Sequence, residues 1–284
     1  MGLFDRWKAP QDHEGTAPPT VPDVPAEPDH QPIRVVPDLD DDAGPFSDAV
    51  REHLERLTAA ADSDIASLEP GAFDAALTSR LVGAERIQST GLGFAYASRF
   101  ADHIHEVLTL DLPSAVITLP DSRVAESGRR VPSLVNRGRS NLMALLEATP
   151  VDVEHVSEGG RGLYTVIGDS PYTASFARFL NDAAHRWLPD ADVSNGWVFA
   201  LPYRHAIVLQ PCSTPAEVRD ALELVPAWAQ RMHADGVSPV SVHTYHWVDR
   251  QITCLTEEHE DGSLSVRPSP VLEQVLGYSS RAAG

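Results

Sequence analysis

The second half of the chain switches repeatedly between two hydrophobic periods, and this limits its fold more than any single motif. VDVEHVS (residues 151–157) and RGLYTVIG (161–168) alternate along the chain and are separated by Glu-Gly-Gly, a hairpin signature. The next stretch, DSPYTASFARFLNDAAHRWLP, carries Tyr172, Phe176, Phe179, Ala183 and Trp187 as one helical stripe. There Ser170 can cap, Pro171 suits the first helical position and Pro189 lies past the end. WVFALPYRHAIVLQP reads as two short strands around a Pro-Tyr-Arg-His turn. TPAEVRDALELVPAWAQRMHADG is a further helix. Thr214 and Glu217 have capping-box spacing around Pro215, Val218, Leu222, Val225 and Met232 point inward, Pro226 kinks it and Gly236 ends it. SVHTYHW, QITCLTEE and SLSVRP then form a meander, its last turn marked by EDGS, and a short helix near residues 270–277 follows. The order is hairpin, helix, hairpin, helix, meander, a ββα rhythm repeating about every 45 residues. An antiparallel sheet of ββα-like units with helices packed on one face satisfies it, which is an α+β fold over residues 111–278.

Upstream the pattern is helical. FSDAVREHLERLTAAA places Val50, Leu54 and Leu57 on one face. Similar spacing predicts helices over about 70–88 and 93–107, the latter with Phe100, Ile104, Val107 and Leu108 on one side. Residues 46–110 therefore read as a helical segment packed on the main domain, and RVPSLVNRGRSNLMALLEAT as one more helix ending before Pro150. Residues 9–45 hold nine prolines, many acids and no aromatic residue, ending in DLDDDAG. Such a stretch buries too little apolar area to offset its ordering entropy, so residues 1–45 read as a disordered acidic tail. Its start differs: in MGLFDRWK, Leu3, Phe4 and Trp7 fall at helical spacing, either a tethered docking motif or chance aromatics.

The net charge of -19 repels nucleic-acid backbones and anionic membrane surfaces. It suits a basic protein partner, or solubility alone. The N-terminus has no apolar run of signal-peptide length and no stretch is long enough for a membrane span, which implies a cytoplasmic protein. Cys212 and Cys254 sit in no metal-binding spacing and read as reduced thiols.

Candidate chemistry is sparse. SVHTYHWVD (residues 241–249) concentrates His243, Tyr245, His246 and Trp247. On a strand the two histidines point apart, so one metal ion could not take both. The stretch reads as a strand with an aliphatic face and a polar-aromatic face, the latter a possible binding surface built on His243, Tyr245 and Trp247. In DHIHE, helical context would set His103 and His105 on different sides. Neither a nucleophile elbow nor a phosphate loop is present, and EGGRG (158–162) lies between strands, as a hairpin turn does. SGRRVPSLVNRGRSN gathers Arg129, Arg130, Arg137 and Arg139, which could hold an anion or pair with the protein's own carboxylates. Arg204 and His205 project from the Pro-Tyr-Arg-His turn, where a planar guanidinium could hold a carboxylate or carbonyls.

RGRSNL, the hairpin after it, SPYTASFARFL and LPYRHAIVL together resemble the bacterial YtpQ-like family of uncharacterised proteins, over residues 115–255. The resemblance matches Asn141, Leu142, Pro202 and Arg204 to the family's pattern and puts His205 where an acid is expected. It implies an α+β fold and no particular activity.

These observations lead to a non-enzymatic, cytoplasmic protein-binding module, an adaptor, secretion chaperone or immunity-type protein, with neither cofactor nor metal. Its partner is another protein, basic in the immunity version, and neither nucleic acid nor membrane. The alternative is a small-ligand binder or enzyme using Arg204, His205 and the His243, Tyr245, Trp247 face, which requires one pocket joining them.

Overall fold

The computed structural model describes residues 68–112, 115–259 and 262–277, and all of these belong to one compact unit. The tail over residues 1–45, the docking residues Leu3, Phe4 and Trp7 and the helix expected over 46–61 lie outside the described residues.

Two antiparallel sheets organise the fold. The first begins after α1 (Pro70–Ala76) with β1 (Leu77–Gly83), which leads into α2 (Ala84–Ser89). β1 pairs along its whole length with β3 (Ile104–Asp111). β2 (Ser98–Ala101) and β4 (Val116–Thr118) share the far side of β3, one on each half. The helix expected over 70–88 is therefore split into α1 and α2 by β1, and the one expected over 93–107 is mostly strand, β2 and the start of β3. All of β1 is buried, so its apolar residues run nearly without break, and a strand covered on both faces loses the alternation that distinguishes it from a helix. α3 (Asp121–Glu126) and α4 (Val131–Ala148) follow and enclose a cluster with Leu77, Leu108, Leu110, Leu119, Val124 and Leu134.

The second sheet has six strands. β5 (Asp152–Glu158) and β6 (Arg161–Ile167) form the expected hairpin, with Gly159 and Gly160 at φ 60° and 80° in its two-residue turn. A 3-10 helix (Thr173–Phe179) and α5 (Leu180–Trp187) replace the single helix expected there. β7 (Trp197–Ala200), β8 (Ala206–Pro211), α6 (Pro215–Asp235), β9 (Thr244–Val248) and β10 (Gln251–Cys254) complete the order β10-β9-β7-β8-β6-β5. A small hairpin, β11 (Thr256–Glu258) with β12 (Leu264–Val266), and α7 (Pro270–Val275) follow.

Alternation along β7 and β8 divides the interior. Val198, Ala200, Ala206 and Val208 face α6, meeting Val218, Ala221, Val225 and Ala229. Trp197, Phe199, Ile207 and Leu209 face the 3-10 helix and α5, together with Leu81 and Ile104 from the first sheet and Leu142 from α4. The six-stranded sheet is thus covered on both faces: by α6 and α7 on one side, and by α5, its 3-10 helix and the first sheet on the other. The α+β class and the ββα rhythm hold, and the helices lie on two faces rather than one. α6 begins with the reciprocal Thr214–Glu217 capping box, and Pro226 sits within it. Gly236 follows it at φ -80°, so no left-handed residue is needed there. A side chain on Gly236 would instead strike the Tyr203 ring.

Among the described residues no helix is long and apolar enough to cross a membrane. Cys212 and Cys254 are free thiols, the first buried and the second half-buried.

A cation-lined cleft between two sheet edges

β2 ends the first sheet and β10 ends the second, and the two edges approach each other. Between them opens a cleft of about 620 Å³, floored by the 3-10 helix and the start of α5. Arg99, Arg139, Arg178 and Arg250 line it against two acids, Glu106 and Asp182. Phe100, Phe179, Trp247 and Ile252 supply its apolar surface. In a chain of net charge -19 this is a local reversal of sign.

Glu106 organises the floor. It is 5% exposed and receives five hydrogen bonds. Arg139 donates from Nε to Oε1 at 2.7 Å and from Nη2 to Oε2 at 2.5 Å, the planar fork that guanidinium and carboxylate form best. Arg178 Nε donates at 3.3 Å, Ser79 Oγ at 2.9 Å and Ser98 Oγ at 3.3 Å. Burial alone would raise the Glu106 carboxyl. The Arg139 hydrogen bonds and the charge of Arg178 more than reverse this, holding it below the usual range. One carboxylate thus positions two arginines and balances only one of them. The outer nitrogens of Arg178 and Nη1 of Arg139 are left for another anion.

Arg250 is set by backbone strain. Asp249 and Arg250 have φ values of 49° and 63°, and they form the two-residue turn joining β9 to β10. Both central positions of such a turn are left-handed, where Asn-Gly is the favoured pair. An exposed arginine at the second position keeps a strained conformation and carries a charge at the cleft rim. Arg99, on the opposite edge, forms an ion pair with Asp102. The Arg178 guanidinium lies 6.0 Å from the Phe179 ring centre, so an aromatic surface and a cation are presented together.

The residues picked out by sequence distribute unevenly around this cleft. Trp247 lines it, whereas Arg204, His205, His243 and Tyr245 do not. Tyr245 is fully buried: its hydroxyl donates to the Asp102 carbonyl at 2.8 Å and meets Ser241 Oγ at 2.8 Å. His243 is buried as well, with Nδ1 3.0 Å from Thr256 Oγ1. His246, on the other face, contacts the Asn195 carbonyl and Ser269 Oγ.

At the Pro-Tyr-Arg-His turn, Arg204 Nε donates to His205 Nε2 at 2.8 Å, and His205 Nδ1 donates to the Gly168 carbonyl at 3.0 Å. The two side chains tie the turn to the end of β6. Burial, with the charge of Arg204 adding to it, lowers the His205 pKa and favours the neutral ring this arrangement needs. Of the positions that carry the family resemblance, Asn141 donates to the carbonyls of Asp74 and Leu77, both at 2.7 Å, and so locks α4 to the start of β1.

The arginine-rich run pairs in part with the protein's own acids: Arg139 with Glu106 and Arg129 with Asp74. DHIHE is not a helix. His103 caps the β2–β3 hairpin at φ 64°, and His105 lies on β3. Among the described residues no three histidine, cysteine or carboxylate side chains converge in a way that could hold a metal ion. Sequence reasoning missed Arg178, Arg250 and Phe100 as site residues. The signal available was local: an Asp-Arg turn between strands where Asn-Gly is the norm. The chain matches no family model, no curated protein and no solved structure.

Proposed function

We propose that the protein is a non-enzymatic, cytoplasmic module that binds another protein, and that it does so through the cleft between β2 and β10. The observation that carries this reading is four arginines lining one aromatic cleft in a chain of net charge -19. Guanidinium groups with free donors favour carboxylates, and aromatic side chains favour apolar ones. Two strand edges beside them favour an extended backbone, since an edge strand offers unpaired N–H and C=O groups. The cleft therefore suits a partner segment that is acidic and carries apolar residues, although the whole-molecule charge suits a basic partner. The surface around the cleft sets long-range attraction, and the cleft itself sets what docks.

The alternative, a ligand site shared by Arg204, His205, His243, Tyr245 and Trp247, draws no support from a common pocket. Trp247 stands apart from the other four at the cleft.

The test is fluorescence anisotropy of the full chain with a short labelled peptide rich in Asp and Glu and centred on a Leu. Binding that weakens as salt rises, and that Arg250→Glu reduces, supports the reading. Absence of binding, or binding unchanged by Arg250→Glu, overturns it.

A further inference from the structure

We propose that Arg80, Arg86 and Arg204 form an anion site, separate from the cleft, that takes a phosphate group, free or carried on a small molecule. This is independent of the peptide reading of the cleft, which none of these three residues lines.

A buried guanidinium without an acceptor is the first ground. Arg80 lies on β1 and is 5% exposed, and its Nε is buried with no hydrogen-bond partner. Arginine is almost never fully buried unless paired, because a charge taken out of water needs a partner. Burial pushes the Arg80 pKa down to about 10, and the charges of Arg86 and Arg204 push the same way, opposed by Tyr172. At neutral pH the group is therefore still a cation.

Convergence without a counter-ion is the second ground. The Leu81 amide donates to Ser175 Oγ at 3.0 Å, and the neighbouring Ala174 amide donates to the Arg204 carbonyl at 3.0 Å. The 3-10 helix thus holds the Pro-Tyr-Arg-His turn beside the Arg80 stretch of β1. Arg86 follows on α2, which continues directly from β1, and is exposed. Arg204 spends its Nε on His205 Nε2, which leaves its outer nitrogens as donors. Among the described residues no carboxylate forms an ion pair with Arg80, Arg86 or Arg204, and none is among the charges that shift Arg80 or His205. In the cleft, by contrast, Glu106 balances Arg139 and Asp102 balances Arg99. Arg80 feels two further guanidinium charges and no carboxylate, in a chain of net charge -19.

The class of ligand follows from the donors. Guanidinium groups present paired N–H bonds that fit the oxygens of a phosphate. Three cations favour a dianion over a single carboxylate. The slight exposure of Arg80 admits a small group rather than a polymer strand.

The experiment is calorimetry on the full chain at low salt and about pH 7.5, where phosphate is mostly a dianion. Inorganic phosphate and glycerol phosphate are the probes. The expected result is saturable phosphate binding, weakened about tenfold by Arg86→Gln and by Arg204→Gln. Arg219→Gln, which removes an exposed positive charge on α6, should leave it unchanged. Phosphate should also raise the melting temperature of the unchanged protein. Arg80→Met keeps much of the side chain's bulk and removes the buried charge, so it should fold stably without phosphate and gain nothing from it. Glycerol phosphate binding as tightly as phosphate, or more so, assigns the site to a phosphate monoester, and its exclusion assigns it to the free ion. No saturable binding of either probe overturns the proposal. So does binding that Arg250→Gln abolishes, which would put the anion in the cleft, or an undiminished phosphate response in Arg80→Met.

Discussion

His103 lies face to face on His243, the ring centres 3.9 Å apart and the planes 18° from parallel. The contact joins the tip of the β2–β3 hairpin to the segment entering β9, and so ties the first sheet to the second. Burial pushes the His243 imidazole down to about 4, and the neighbouring charges of His103 and His233 push the same way, opposed by Glu258. A folded-state pKa below the usual 6.5 means that the fold holds the neutral ring. Its contribution is complete above about pH 6.5, is lost as pH falls from there towards 4, and amounts to roughly 3 kcal/mol. Urea midpoints at about pH 7 and about pH 4.5 check this, since His243→Gln should reduce the loss seen in the unchanged protein. An identical acid loss in both would show that His243 does not carry it. In a titration followed by NMR, His103→Asn should raise the pKa of His243 by removing a like charge.

Glu106 titrates in a separate window. Its carboxyl is held below the usual range, so its contribution is present above about pH 4.5 and lost as pH falls through the folded value. Glu106→Gln keeps the shape and removes the charge, leaving Arg139 and Arg178 facing each other without their counter-ion. The expected cost is about 3 kcal/mol, because breaking one side of a buried pair strands the other. Chemical denaturation at neutral pH measures it, and a loss of a few tenths of a kcal/mol would contradict this account of the cleft floor.

Arg250→Gly separates stability from binding. Glycine adopts the left-handed turn position without strain, so unfolding free energy should rise by about 1 kcal/mol. The same change deletes a cleft cation, so affinity for the acidic peptide should fall severalfold. Thermal denaturation and anisotropy on one preparation read both. A parallel fall in stability and binding would mean that Arg250 is a structural residue.

Gly138 is where α4 comes closest to the first sheet. A methyl group there would sit 3.0 Å from Leu108 Cδ2 and 3.0 Å from the Ser79 amide nitrogen. Ser79 belongs to β1, whose backbone cannot shift without disturbing its ladder to β3. Gly138→Ala therefore overpacks the interface and should cost about 1–3 kcal/mol despite alanine's better helix propensity. A gain in melting temperature would show that α4 can move outward freely.

Much of the second half was legible in the chain. The Gly159–Gly160 turn and the Thr214–Glu217 capping box both follow from residues within a few positions of one another. Local rules act at that range, where turn chemistry and side-chain period leave few alternatives. The first sheet was not legible. Phe100, Ile104, Val107 and Leu108 fit a helical stripe as well as they fit β2 and β3. What separated the readings was the hairpin turn at His103, a left-handed residue that is not glycine.

The cleft was even less accessible to sequence. Its chemistry comes from Arg99 on β2, Glu106 on β3, Arg139 on α4, Arg178 on the 3-10 helix and Arg250 in the β9–β10 turn. No spacing in the chain relates these positions. The sequence by itself determined the α+β rhythm, because hydrophobic period and turn residues act locally. Only the tertiary structure decided which charges meet, because strand pairing brings distant segments together and burial of Glu106 then forces two arginines to its side.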